Sequence, residues 1–527
     1  MDPLQRKVAT LTILKKEEMH SVQQENIRAA MVLSNLIKSC VGPRSMVKMI
    51  LTRIGSMELT NDGNSILREM EVTHPVIKSL VELSRTQSEE VGDGTTSVVI
   101  LAAEILQECA ELLREGMHPT VICSGLKKAL EYILERIKKY SVEIGSLKKE
   151  KNKTEEQIIR EVVRQGVGTK LSKFLIDLEN IAISGITLIK TKENGKTVCD
   201  IKNNIKIEKI PGGRVEDTEI LDGVAVQKDV LDLGMKRRIE GAKVLLIDFP
   251  LEYRKGENHM HIEMHKSEVF SRALEVEEEQ VEKMVKMIAQ AKPSVVVSEK
   301  GMCDHAIYLL KKSGISAIRR IKKSENQRIS LATGAQIVSR PEDVSAKKLG
   351  SAGLFEVVRI GDEEYAKFVK CAAPKACTVI LRGPSKDILN ELERNLVDAF
   401  SVAKNLHSSS LLVRGAGCVE MAISHDLASA QNLTPKEAKI FSAVARALQI
   451  IPSTLIANSG TTCSLRKLLE LRAHHAQGRN TYGVDGETGQ IEPTGILESA
   501  LVKEQSFKSA IEGSIIILRV DGIVKQE

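Results

Sequence analysis

The hydrophobic pattern of this 527-residue chain changes character twice, and that order of segments limits the fold more than any single motif. Up to about residue 145 the pattern is helical. Ile27, Ala30, Leu33 and Ile37 recur at helical spacing behind a Ser21–Gln24 capping-box pattern, and Gly42-Pro43 stops the run. A short extended piece over Met57–Thr60 enters the turn Asn61-Asp62-Gly63, and helices are predicted over Pro75–Ser88 and Thr95–Arg114. The middle is different. Ile205–Ile210 alternates like a strand and ends at Pro211-Gly212-Gly213, a composition that suits a hinge. Short apolar runs follow at Val224–Val226, Val244–Ile247 and Val295–Val297, interleaved with helical stretches over Glu275–Ala291 and Met302–Lys312. That alternation is a mixed α/β signature. Thr378–Leu381 ends at Arg382-Gly383-Pro384, long helices return from Ser385, and the apolar run Ser514–Val520 closes the tail. A helical–mixed–helical order implies one domain built from both chain ends with another inserted between them. The charged segment Lys148–Thr154 reads as a loop at a boundary. Two to four domains are expected at this length.

Composition removes several function classes. Aromatic residues make up 3% of the chain and Trp is absent, so stacking platforms for single-stranded nucleic acid are not expected. The net charge of +6 (76 basic minus 70 acidic residues) comes from interspersed charges, with no basic stripe for a phosphate backbone. Nine cysteines, an odd number without a C-x-x-C pair, suggest reduced thiols. Met1–Met19 is charged and lacks an apolar leader core. No apolar run approaches the roughly 20 residues needed to cross a bilayer. A cytoplasmic protein with no nucleic-acid or membrane partner is expected.

The chemistry centres on Gly92-Asp93-Gly94-Thr95-Thr96-Ser97, followed by the apolar run Val98–Ala103. Two glycines allow a tight turn that exposes N–H groups, and the hydroxyls that follow can cap a helix. A helix N-terminus behind such a loop attracts anions through unpaired amides and the helix dipole. Asp93 would repel phosphate unless a divalent cation lay between them, so the loop reads as a phosphate site with Mg²⁺. Taken alone, the six residues fit an ordinary turn and N-cap equally well. Asn61-Asp62-Gly63 adds a second carboxylate-bearing turn before a helix, and Val41-Gly42-Pro43 a third small turn. Gly415-Ala416-Gly417 is a weaker candidate of the same kind. Asp398 sits on a helix with Ile388, Leu392, Leu396 and Ala399 or Phe400 at helical spacing, and by itself reads as a surface aspartate. His259, His261 and His265 do not form H-E-x-x-H, and their polar flanks fit an exposed segment, not zinc. Glu275–Gln280 reads as a solvated helical face.

With these turns in view, the chain resembles the group II chaperonins, the family of the eukaryotic cytosolic TCP-1 ring complex, over essentially its whole length. Further matching runs are Met117-His118-Pro119-Thr120, Glu208–Gly213, Ala317–Arg320, Ile337–Glu342 and Gly483–Gly489. The resemblance implies an α+β multidomain chaperonin fold. Its mainly α-helical equatorial domain would comprise residues 1–147 and 404–527, and a small α/β intermediate domain residues 148–213 and 371–403. An inserted α/β apical domain would span 214–370, with a helical lid protrusion near 253–270 that takes in the histidine cluster. The cofactors implied are ATP and Mg²⁺. By resemblance Asp93 ligates the metal, while Gly42, Pro43, Gly63, Gly94, Thr95, Thr96 and Ser97 wrap the phosphates. Asp62 and Asp398 position and deprotonate the attacking water, as in-line phosphoryl transfer requires. Lys170 would sense the terminal phosphate from the intermediate domain, and Gly415, Glu487 and Glu498 would surround the base and ribose. Three departures weaken the base end. Ala416 interrupts a glycine run, Ser499 replaces the usual proline, and the loop between Gly489 and Gly495 is short.

The function implied is that of an ATP-hydrolysing chaperone subunit in a double ring of paralogous subunits, eight per ring in the family. ATP would drive lid closure about hinges such as Gly212-Gly213, with clients such as actin and tubulin. Clients are expected to touch the surface around Met302–Leu310. The alternatives are a structural ring subunit that binds nucleotide with little turnover and, last, a small-molecule kinase, for which no acceptor site is visible.

Overall fold

The run Val98–Ala103 has no polar face, and in the computed structural model of the chain each of its six residues is at most 2% exposed. A helix apolar all round belongs inside a protein. The Thr95–Arg114 helix accordingly packs against helices from both chain ends: Met19–Ile37, Pro75–Glu90, Pro435–Leu448 and Ala500–Leu518. The structure describes residues 11–12, 19–51, 55, 57–151, 154–169, 178–193, 196–253, 267–522 and 525–526. The chain divides into two compact units, one of Met1–Phe174 with Arg394–Glu527 and the other of Leu175–Glu393.

In the first unit a single apolar core joins the N-terminal helices to the Cys418–Ala428, Pro435–Leu448, Ile450–Asn458 and Ala500–Leu518 helices. Val98–Ala103, Ile440, Val444, Ile456, Phe507 and Ile511 all lie within it. Pro75 and Pro119 open their helices at the position where a missing N–H costs nothing, behind His74 and His118, whose ring nitrogens accept the capping bonds. The Met57–Thr60 strand forms as expected and pairs with Lys48–Leu51. Two expectations are corrected. The first described helix begins at Met19, so Ser21 and Gln24 both lie within it and not at its start. The Lys148–Thr154 segment is half helical: Ile144–Lys151 runs into it, and Thr154 then caps Glu155–Val167 through a Thr154–Gln157 capping box. Charged residues with good helix propensity need no apolar face to extend a helix by a turn. The stretch Pro435–Asn458 is long and apolar enough to cross a membrane, contrary to the sequence reading, but 67% of that window is buried and belongs to the core. All nine cysteines are free.

The second unit is built on a seven-stranded mixed sheet. Arg238–Ile247 lies parallel to Val295–Ser298, which is parallel to Ser316–Ile318. Its other edge pairs antiparallel with Gly350–Ile360, then Glu363–Val369, then Val224–Val226, and Ile337–Val338 adds a short parallel pairing. Val244–Ile247 and Val295–Val297 lie inside the sheet and Val224–Val226 at its end, and all three are buried, which explains why they are continuous and not alternating. A smaller sheet sets Ile205–Pro211 parallel to Cys377–Gly383. At its end Gly212 and Gly213 both have positive φ (+89° and +82°), a conformation that costs other residues strain. The Ser267–Gln290 helix exposes Glu275–Gln280 to solvent, as expected. Met302, just before the Asp304–Lys312 helix, and Ala306, Ile307 and Leu310 on it turn into the sheet's core, whereas Asp304 and Tyr308 are exposed. The histidine cluster and most of the 253–270 stretch lie outside the described residues, as does Lys170.

Candidate nucleotide site

Two left-handed glycines shape the loop at the core helix. Gly92 (φ +73°) and Gly94 (φ +76°) bracket Asp93, whose Oδ1 accepts from Gly94 N at 2.7 Å. The helix starts at Thr95 with Gly94 as its N-cap and no side-chain cap, so the following hydroxyls do not serve as caps. The first N–H groups of this helix therefore have no partner within it. The Thr95 hydroxyl instead donates to Asp62 Oδ1 at 3.4 Å.

Asp62 is the N-cap of Gly63–Glu69, accepting from Ser65 N (3.0 Å) and Ser65 Oγ (2.8 Å) at Oδ2. Beside it, a Cβ on Gly63 would come within 2.3 Å of Thr96 Oγ1. Only a bare backbone lets the two turns approach this closely. Asn61 Nδ2 donates to Ser45 Oγ (3.0 Å) and to Thr169 O (3.3 Å), and Ser45 Oγ to the same carbonyl. These bonds tie the turn at Gly42-Pro43 and the residue before Lys170 to Asp62.

Asp398 lies on the Lys386–Ser408 helix, in the part that belongs to the first unit. One turn further along, Ser401 fills the space beside Gly92, where a Cβ would sit 2.2 Å from Ser401 Cβ. Asn405, on the same face, donates to Val91 O at 2.8 Å. Asp398 is thereby carried on the helix face that meets the loop.

The far end is assembled from C-terminal segments. Gly42 (φ +92°) lies against Leu455, and a Cβ on Gly486 would meet Pro43 Cδ at 2.5 Å. Asp485 folds the turn that carries Glu487, accepting from Thr488 Oγ1 (2.5 Å) and Glu487 N (3.0 Å). The Thr488 hydroxyl, outweighing partial burial, holds the Asp485 carboxyl below its ordinary range. Gly489 (φ +71°) packs on Ser459 and Thr461 within the turn 485–490 that joins Tyr482–Val484 to Ile491–Pro493 as a hairpin, so the short segment between Gly489 and Gly495, read as a loop, is mostly strand. Val484 N donates to Ala416 O at 2.9 Å. Ala416 itself has φ +57°, so the residue that departs from glycine occupies a left-handed position. A Cβ on Gly415 would collide with Glu498 Oε1 at 2.2 Å. Glu498 pairs with Lys503 (2.7 Å), which also pairs with the buried Glu420 (2.7 Å).

The donor set fits a magnesium nucleotide. Unpaired helix amides and hydroxyls offer hydrogen bonds to phosphate, Asp93 would offer Mg²⁺ a carboxylate, and bare glycines leave backbone room. The TCP-1/cpn60 chaperonin family model matches residues 33–527. The chain belongs to that chaperonin family. It is similar to T-complex protein 1 subunit gamma of Encephalitozoon cuniculi, 44% identical over 100% of this chain and 99% of the relative. It is likewise similar to the subunit gamma proteins of Schizosaccharomyces pombe (45%, covering 96% and 95%) and Homo sapiens (43%, covering 97% and 93%). Membership in the family implies nucleotide use.

In this chaperonin, direct contacts bring together Asp62, Gly63, Asp93, Gly94, Thr95 and Thr96, and a second set joins Gly415 to Glu498. Ser97 follows on the same first helical turn. Asn61–Ser45, Pro43–Gly486 and Val484–Ala416 bridge the two sets. Sequence reasoning missed Gln87, Asn405, Glu420 and Lys503. Their partners lie from 5 to 419 positions away and no spacing rule links them.

Proposed function

We propose that this chaperonin is an ATP-hydrolysing subunit of gamma type in a hetero-oligomeric, cytosolic double ring of paralogous subunits, assisting the folding of clients such as actin and tubulin. The observation that carries the reading is the meeting of three elements at one place: the Gly92–Ser97 loop, the Asp62 turn and the helix bearing Asp398. Bound ATP would supply the transferable phosphoryl group, with Mg²⁺ neutralising its charge. Asp93 would hold the metal. Asp62, fixed by Ser65 and Thr95, and Asp398 would orient the attacking water and accept its proton. Glycines at 42, 63 and 94, Pro43, and Thr95–Ser97 would enclose the phosphates, Lys170 would reach the terminal one, and Gly415, Glu487 and Glu498 would face the nucleoside. We further propose equatorial (1–147, 404–527), intermediate (148–213, 371–403) and apical (214–370) domains, with closure about Gly212-Gly213.

Ring partners fit the Lys48–Leu51 and Met57–Thr60 hairpin, which exposes Met49, Leu51, Met57 and Leu59, an apolar surface typical of protein contacts. Client contact near Met302–Leu310 would have to use Asp304 and Tyr308, because the apolar side chains there are buried. The test is Asp398→Ala in an assembled ring, imaged with ATP. The expected outcome is ATP retained at this subunit's site; conversion to ADP at the wild-type rate would refute the catalytic role. A second reading, nucleotide binding with little turnover, draws on the left-handed Ala416 and on Glu498 already being paired to Lys503. It predicts nucleotide at the wild-type site that does not turn over during cycling.

A further inference from the structure

Three alternate carbonyls of the Val91–Thr95 segment are held from behind by buried side chains. Asn405 Nδ2 donates to Val91 O (2.8 Å), Gln87 Nε2 to Asp93 O (2.9 Å) and Ser84 Oγ to Thr95 O (3.2 Å). Asn405 is 5% exposed, and Ser84 and Gln87 are fully buried. Within the loop Gly92 N donates to Gln87 O and Gly94 N to Asp93 Oδ1, which leaves the N–H groups of the first helical turn for an anion.

The three donors come from different places. Ser84 and Gln87 belong to the Pro75–Glu90 helix that leads into the loop, and Gln87 also donates to Ser506 Oγ (2.9 Å) on the C-terminal helix. They brace the loop from within its own scaffold. Asn405 instead reaches it from the helix that bears Asp398. Asp398, Ser401 and Asn405 stand at i, i+3 and i+7, on one face of that helix. Ser401 packs on Gly92 and Asn405 is bonded to Val91, so one steric and one polar contact fix the helix against the loop.

We infer that Asn405 is a positioning residue for hydrolysis: its bond to Val91 O sets where Asp398 stands relative to Asp93. The inference rests on the nucleotide reading above. Seven residues at 1.5 Å rise place Asn405 roughly 10 Å along the axis from Asp398. A tilt of about 6° pivoting there moves Asp398 by ~1 Å, and a displacement of that size can cost on the order of 100-fold in rate. Asn405 bonds to the carbonyl two residues before Asp93. Its loss therefore shifts the carboxylate that handles water while Gln87 and Ser84 keep the phosphate amides in place.

The experiment uses the assembled ring carrying this chain with Asn405→Ala, with Asn405→Leu to preserve packing, and with Gln87→Ala as a contrast. Labelling of this subunit's peptides by 8-azido-ATP reads occupancy, and vitrified particles at timed intervals read ATP or ADP at its site. For either Asn405 variant the expected result is occupancy within about twofold of wild type, with conversion slowed roughly tenfold or more. For Gln87→Ala, occupancy itself falls. Occupancy and conversion falling together in both Asn405 variants would make Asn405 a loop support and overturn the inference, as would wild-type values for both. An unlabelled wild-type subunit would overturn the nucleotide reading and this inference with it.

Discussion

Replacing Lys503 by methionine would leave Glu420 buried beside no cation. The Lys503 side chain is 12% exposed and that of Glu420 2%, with the more open Glu498 completing the cluster. Burial alone would push the Lys503 ammonium down, but the two carboxylates outweigh it and hold the group above its ordinary value. Lys503 therefore stays charged throughout the neutral range. Glu420 Oε2 already lacks a hydrogen-bond partner, so nothing nearby is ready to take over from the ammonium. Breaking such a pair from one side costs about 3–5 kcal/mol, because the remaining charge is uncompensated. At 1.4 kcal/mol per factor of ten, that is roughly a hundred- to several-thousand-fold loss of protection against local opening. Hydrogen exchange of the Cys418–Ala428 and Ala500–Leu518 helices, measured in the assembled ring, is the direct assay. The loss should change little with salt, since a buried pair is poorly screened. The double variant Glu420→Leu, Lys503→Met should recover most of the protection, because no charge is then left buried. Protection within about threefold of wild type in Lys503→Met alone would refute the reasoning: Glu420 would then not depend on Lys503 for its charge balance.

Three further outcomes follow from local geometry. Gly92→Ala combines left-handed strain with a collision at Ser401 and should abolish azido-ATP labelling, whereas Gly116→Ala, at φ +83° with open space around it, should cost about 1 kcal/mol and leave labelling intact. Ala416→Gly should stabilise the chain by about 0.5 kcal/mol, the relief of left-handed strain less the added freedom of the unfolded glycine, and calorimetry would read it directly. A destabilised Ala416→Gly would show that the methyl group packs to advantage. His475 donates from Nε2 to Tyr482 O, is 1% exposed, and is held below its ordinary 6.5 chiefly by burial. The unfolded chain therefore binds a proton first, so stability is full above pH 6.5 and declines as pH falls toward the lower folded value. A melting-temperature profile from pH ~7.5 to ~5.5 should flatten in His475→Gln, and an unchanged profile would assign the acid sensitivity elsewhere.

Much of this chain's fold is legible in its sequence. Apolar spacing located the Pro75–Glu90 and Thr95–Arg114 helices and the buried strands at Val224, Val244 and Val295, because burial on one or all faces leaves a period in the sequence. The glycines at 92 and 94 announced a turn that only such residues enter cheaply, and Asn61-Asp62-Gly63 a turn before a helix, which Asp62 proves to cap. The charged end of the Ile144–Lys151 helix, from Lys148 on, escaped, since propensity without an apolar face resembles a loop.

What the sequence determined alone was local: which segments fold as helix or strand, where the chain must turn, and which residues carry chemistry suited to phosphate and a hard cation. Its two helical ends also implied one domain, though not which side chains meet there. Only the tertiary structure decided that Ser401 fills the space Gly92 leaves, that Asn405 reaches Val91 across 314 positions, and that Lys503 stands between Glu420 and Glu498. The physical reason is range. Backbone propensity and periodicity act over a few residues, whereas the partner of a buried polar group is chosen by packing, which no short stretch of sequence records.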